Sequence, residues 1–186
     1  MREAIAGLIA ANGLRVECFE SAVAFLSRPE NDAPACLVLD VRMPGLGGFE
    51  LQRELAVAGR DLPVIFITAH GDIQMAVRAM KAGAAEFLPK PFEEGALLSA
   101  VLQALERDRH ALTRRIEQAQ IRERRNRLTD RELQVLSSIG LGKLNKQIAA
   151  ELGVSENTIK AHRRHLMKKM GAANFPELVL MMGQIR

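Results

Sequence analysis

A doubly wound α/β domain followed by a smaller all-helical one is the fold class this sequence predicts, and three observations carry it. Short apolar runs at residues 35–40, 63–68 and 85–89 alternate with helix-period segments, the pattern of buried parallel strands joined by crossover helices. After residue 128 the strand pattern stops, and short amphipathic helices with capping residues take over. The charge is also uneven. Residues 1–105 hold nine Lys/Arg against thirteen Asp/Glu, whereas residues 126–186 hold ten against five, so an acidic front joins a basic rear.

Taken in order, residues 2–12 have Ile5, Leu8 and Ile9 on one helical face, with Gly13 as the stop. Residues 14–19 read as a short strand, and Ser21 opens a brief helix to Leu26. A polar loop over 28–34 leads into the apolar run 35–40, which ends in Asp40 and reads as a strand buried on both faces. The loop Met43-Pro44-Gly45-Leu46-Gly47-Gly48 precedes a helix from about Phe49 to Ala58. Residues 63–68 form the next buried strand, ending in Thr68. Asp72 caps a helix that reaches Ala82 and stops at Gly83. Residues 85–89 form a third buried strand, followed by Lys90-Pro91 and a helix from about Glu93.

In such sheets chemistry collects at the carboxyl ends of the strands. Three successive strand ends carry Asp40, Thr68 and Lys90. A carboxylate, a hydroxyl and an ammonium together suit phosphoryl transfer, with the carboxylate as nucleophile. Singly, each has a plainer reading: a turn aspartate, a strand-end threonine, a snorkelling lysine. A phosphohydrolase built on an Asp nucleophile would need a second carboxylate two residues on, and that position is Arg42.

In the rear half, residues 143–170 read as two helices about a tight turn at Gly153, with Ser155 as N-cap of the second. Ile159, His162, Leu166 and Met170 form its inward side, which leaves Lys160, Ala161, Arg164 and Lys168 facing outward together. Three cations and one small apolar residue on a helix edge suit the DNA major groove, where they meet phosphates, guanine edges and a thymine methyl. The plainer alternative is a helical hairpin with a solvated basic face. Thr129 with Glu132 forms a capping box, Asn174-Phe175-Pro176-Glu177 repeats the device, and residues 128–182 parse as four short helices with a cap at each start.

That run closely resembles the LuxR/FixJ-type helix-turn-helix domain through Leu128-Thr129, Arg131-Glu132, Val135-Leu136, Asn145-Lys146, Ile148-Ala149, Leu152, Ser155, Thr158-Ile159-Lys160, His162 and Glu177-Leu178-Val179. The front half resembles the flavodoxin-like receiver domain of two-component response regulators through Asp40-Val-Arg-Met-Pro44, Thr68 and Lys90-Pro91-Phe92. The whole is similar to transcription regulators of the FixJ/NarL class: a receiver over 1–106, a helical linker over 107–125 and a DNA-binding domain over 126–186. The resemblance implies Asp40 as phosphoacceptor, with Thr68, Phe87 and Lys90 as switch residues and a cis peptide between Lys90 and Pro91. It implies DNA contacts from Lys146, Ser155, Thr158, Lys160, Ala161, Arg163, Arg164 and Lys168. The implied partners are promoter DNA, a sensor histidine kinase and a second copy of the chain, with RNA polymerase as a candidate. A catalytic activity of its own is not expected.

One departure matters. Receivers begin with a strand ending in two acidic residues that hold Mg²⁺ beside the phosphoacceptor. Here residues 1–5 already belong to the first helix, so that strand and its acidic pair are absent from the sequence, and Glu3 lies on the helix. A Mg²⁺ held by Asp40 and the Arg42 backbone carbonyl alone would lack most of its anionic ligands. The lost strand belongs mid-sheet, so its neighbours should have open edges. Either the start is placed too late, or the receiver has lost phosphorylation and answers another signal. The intact Asp40, Thr68 and Lys90 favour the first account.

Residues 106–125 are charged and lack Pro and Gly, which predicts a helix continuing from the front domain. Leu98, Leu102, Leu105, Leu112, Ile116 and Ala119, interrupted by Arg109, read either as a weak heptad seam that helps pair two chains or as incidental apolar residues on a solvated linker helix. An apolar share of 48% supports packed cores over disorder. No apolar run approaches the roughly 18 residues of a membrane helix, and no signal-cleavage pattern follows the N-terminus, so a cytoplasmic protein is expected. Cys18 and Cys36 are expected as buried free thiols, and no Cys/His cluster has zinc spacing.

Overall fold

The computed structural model describes residues 1–29, 32–69 and 73–184. The chain divides into two compact units, Met1–Leu112 and Thr113–Arg186.

In the first unit the order is α1 (Arg2–Ala11), α2 (Ala22–Leu26), β1 (Leu37–Asp40), α3 (Gly48–Val57), β2 (Val64–Thr68), α4 (Ile73–Lys81), β3 (Glu86–Pro89) and the start of α5 (Glu94–Asn126). The strands form a parallel sheet in the order β1-β2-β3. Alternation along β2 serves two layers. Val64 and Phe66 join α2, α3 and α4 through Phe25, Leu51, Leu55 and Ala79, while Ile65 joins α1 and α5 through Ile9, Leu97, Val101 and Ala104. Every residue of β2 is buried, as a central strand requires. The flanking strands are only half-buried, with Leu39 the sole buried residue of β1 and none in β3, because each is a sheet edge. The expectation of three strands buried on both faces therefore holds for β2 alone. The expected Asp72 cap lies outside the described residues.

The strand expected over 14–19 does not form. Leu14 and Val16 still pack on the α1/α5 layer. A strand exists only through ladder bonds to a neighbour, however, and β1 pairs on its other side with β2 alone. A cavity of about 520 Å³ is lined by this segment and by β1, with Ile5, Ile9 and Val101 among its walls. Cys18, expected buried, is exposed on the unladdered segment, while Cys36 is half-buried; both are free thiols.

Asp108 of α5 is 6% exposed, and its Oδ2 accepts the Ala35 backbone N–H at 2.8 Å. That ties the helix to the approach of β1. Burial, with the Asp108 charge adding to it, pushes the Cys36 thiol up to about 11.

The second unit contains the end of α5 and four further helices: α6 (Asp130–Gly140), α7 (Asn145–Leu152), α8 (Glu156–Met170) and α9 (Phe175–Gln184). Ile121, Leu128, Leu136, Leu166, Met170 and Leu178 form one core cluster, and Val135, Ile139, Ile148, Ala149 and Ile159 form a second. Thr129 and Glu132 make the expected capping box on α6. Ser155 Oγ accepts from Thr158 N on α8, and Asn174 Oδ1 accepts from Glu177 N before α9. The cap expected at α7 is different: Leu144 offers no side-chain acceptor, and instead Gln147 Oε1 accepts the Leu144 N–H. Residues 107–125, read as a linker, lie within the continuous α5, as expected from their lack of Pro and Gly.

Candidate functional site

Parallel register brings the three strand ends together. Asp40 stands opposite Ile67 and Thr68 opposite Pro89, with Val41 N bonding to Ile67 O and Lys90 N to Thr68 O. Lys90 Nζ donates to Asp40 Oδ2 at 2.6 Å, and Arg42 N donates to Asp40 Oδ1 at 2.9 Å. Both carboxylate oxygens are thus engaged, and the ion pair is partly screened from water. Thr68 is 1% exposed on the next strand. The Lys90–Pro91 peptide is cis, as expected. Phe87 lies on β3, half-buried against the α2/α3/α4 layer.

The loop after Asp40 is held close by Gly48 at the start of α3, whose N–H bonds Val41 O at 3.1 Å. A Cβ there would lie 2.7 Å from Asp40 O and 3.0 Å from the Phe66 ring, so only glycine admits this approach.

In the second unit, Gly153 takes a left-handed conformation (φ 66°) and turns the chain from α7 into α8. Ile159, Leu166 and Met170 of α8 are fully buried. Lys160, Arg164 and Lys168 stand exposed on its outer side, with Ala161 half-exposed beside them and Lys146 exposed on α7. Arg163 is turned elsewhere. Its Nη1 donates to Asn145 Oδ1 at 2.7 Å, and its guanidinium lies 5.4 Å from the centre of the Phe175 ring. Ser155 and Thr158 share a hydroxyl–hydroxyl bond of 2.9 Å at the helix start.

The family models agree with this division of labour. Residues 1–102 match the response regulator receiver domain, and residues 126–182 match the bacterial regulatory proteins of the luxR family. The chain is 45% identical over 177 residues to the response regulator protein TodT of Pseudomonas putida, covering 95% of this chain and 78% of the relative. It is 41% identical to the transcriptional regulatory protein FixJ of Rhizobium meliloti, covering 97% and 89%. The solved structure of the response regulator StyR, at 46% identity, superposes with a TM-score of 0.85 over 99% of this chain and 93% of that one. Full-length FixJ from B. japonicum matches at 35% identity and a TM-score of 0.55, covering 100% and 91%.

The chain belongs to the FixJ/NarL class of two-component response regulators. Such regulators control transcription and are generally not enzymes, and this one pairs a receiver with a LuxR-type DNA-binding domain.

Receivers typically use Mg²⁺ for phosphorylation. The donor set of this response regulator does not fit that ion. No group of three or more His, Cys, Asp or Glu side chains able to hold a metal occurs among the described residues, and both Asp40 oxygens already accept hydrogen bonds. Asp40 and the Arg42 carbonyl would fill two positions of the octahedron that Mg²⁺ demands, without the further anionic ligands of a receiver's acidic pair.

Sequence reasoning missed the contacts that shape the response regulator's DNA-binding unit. Glu132 is 4% exposed, and its Oε2 accepts from Lys169 Nζ at 2.6 Å as well as from Thr129 N at 2.8 Å. Burial pushes its carboxyl up, but the Lys169 ammonium and the Thr129 bonds outweigh this and hold it below the ordinary value. Arg131 Nη2 donates to Leu152 O at 2.6 Å, closing the end of α7, and Arg124 Nη1 donates to Met170 O at 3.1 Å, closing the end of α8. The capping box alone hinted at Glu132. The arginine contacts span 21 and 46 residues, and no local spacing marks them.

Proposed function

We propose that a sensor histidine kinase phosphorylates Asp40, and that this event controls pairing of two chains and binding to promoter DNA. The observation that carries the reading is the Lys90–Asp40 contact of 2.6 Å at adjoining strand ends. Once Asp40 carries a phosphoryl group, the Lys90 ammonium and the Thr68 hydroxyl bind the new anionic oxygens. Thr68 and Phe87 reorient, and the α4–β3–α5 face becomes the pairing surface. Phosphorylation is then a local electrostatic change acting on a two-state element. Ile73, Val77 and Met80 of α4 and Leu102 of α5 are exposed apolar groups, which supports pairing there.

In this reading residues 1–106 are the receiver, 107–125 the linker and 126–186 the DNA-binding domain, and the protein works in the cytoplasm. Among the described residues no helix is long and apolar enough to cross a membrane. The α8 edge of Lys160, Ala161, Arg164 and Lys168 enters the major groove, with Lys146, Ser155 and Thr158 around it, while Arg163 braces α7 through Asn145. RNA polymerase is the next partner at the promoter.

A second reading is favoured by the donor set that does not fit Mg²⁺: a DNA-binding regulator that works without phosphorylation. Labelling with radioactive acetyl phosphate separates the two. Label on the wild-type chain that is absent from Asp40→Asn supports the phosphorylation reading. If the chain takes no label, and neither does a chimera with a receiver's first strand grafted ahead of Met1, the second reading stands.

A further inference from the structure

The end of α8 is gripped from two directions. Lys169 reaches Glu132 of α6, while Arg124 of α5 donates Nη1 to the carbonyl of Met170, the last residue of α8. Helix ends leave carbonyls without partners, and a cation placed there meets both those oxygens and the negative end of the helix dipole. Arg124 is half-buried and fits closely: a Cβ on Gly171, the αL residue that ends α8 at φ 70°, would lie 2.9 Å from Nη1. Ile121, one helical turn earlier on α5, is 5% exposed and packs in the same cluster as Leu166 and Met170. The last two turns of α5 therefore carry an apolar anchor and a charged cap for the recognition helix.

From this geometry we infer that Arg124 is a positioning residue for DNA recognition: it sets the pose of α8 from α5 without itself touching the duplex. The inference rests on the reading that α8 enters the groove. It makes the last turn of α5 part of the recognition apparatus, so that fraying of that turn releases the far end of α8. The neighbouring Arg125, exposed on the same turn, supplies a control of equal charge.

The test uses the full-length chain and a duplex it selects from a random-sequence library, compared with an unselected duplex. Arg124→Ala should lose about tenfold affinity for the selected duplex, the effect of one hydrogen bond from a charged donor. It should change binding to the unselected duplex little and leave the salt slope parallel to wild type, because no phosphate contact is lost. Arg124→Lys keeps the charge but not the planar fork, and should recover part of the loss. It also serves if the alanine variant fails to fold. Arg125→Ala should not alter the preference between the two duplexes. Unchanged affinity in Arg124→Ala, a slope lower by about one, or equal loss on both duplexes would overturn the inference. Lys160→Ala/Arg164→Ala separates the layers. If that double variant also binds normally, the reading of α8 fails first; if it alone loses affinity, only the role of Arg124 fails.

Discussion

The Asp108 carboxylate accepts the backbone N–H of Ala35, 73 residues earlier in the chain, at 2.8 Å. This single bond anchors α5 beside the segment that enters β1, whose last residue is Asp40. Replacing Asp108 by Ala leaves a part-buried donor unpaired, at a cost of about 1–3 kcal/mol. Asn retains an acceptor and should cost less. Hydrogen exchange at the Ala35 amide reads the effect directly, with fast exchange expected in the alanine variant. The neighbouring Cys36, pushed up to about 11, should react far more slowly with iodoacetamide at mildly alkaline pH than the exposed Cys18. Equal alkylation of the two thiols would contradict this.

Gly48 admits α3 to the backbone of Asp40. Gly48→Ala would place a methyl 2.7 Å from Asp40 O and 3.1 Å from Val41 Cα, both backbone atoms that cannot swing aside. The expected loss is about 1–3 kcal/mol, as for other overpacked cores. Any acetyl-phosphate labelling of Asp40 should weaken with it. A melting temperature equal to wild type would show that the loop relaxes freely.

Lys160 and Arg164 are exposed cations on the outer side of α8. Changing both to Ala should weaken DNA binding and lower the slope of log affinity against log salt by about two, one per phosphate contact released. Fluorescence anisotropy over a salt series measures it. A slope unchanged by the double substitution would place the contacts elsewhere.

Glu132 has a carboxyl held below its ordinary value of 4.5. A carboxyl depressed in the folded state stabilises the fold above its unfolded pKa, and that contribution is lost as pH falls through the folded one. The DNA-binding unit should therefore keep this contribution at neutral pH and lose it only at pH values below 4.5. Lys169→Met removes the strongest lowering partner, so the acid transition should shift to higher pH in a titration followed by circular dichroism. A transition at unchanged pH would assign the acid limit to other groups.

What could be read from the sequence follows from what leaves a local trace. Run 63–68 became β2 because a central strand is apolar on both faces. Run 14–19 alternates apolar and charged residues, which is also a strand signal, yet composition cannot supply the neighbouring strand that a ladder requires. Ser155, Thr129 and Asn174 act as caps because capping is decided within four residues. At the strand ends, identity and order placed Asp40, Thr68 and Lys90, since parallel strands in register carry their last residues to one edge. Arg163 shows the limit. Its type and position matched a DNA-facing cation, and its direction was decided by Asn145 and Phe175, which lie in other helices. Asp108 and Arg124 left no periodic mark, because each is defined by a carbonyl or amide distant in the chain.

The outer edge of β1 has a consequence for handling the protein. A four-residue run, Leu37-Val38-Leu39-Asp40, presents main-chain donors and acceptors with no ladder partner among the described residues, beside a hollow of about 520 Å³. Two molecules meeting edge to edge could satisfy those groups mutually. Concentrated stocks should therefore cloud with time. Light scattering over a concentration series measures it, and a particle size that does not grow with concentration would show that the edge is covered.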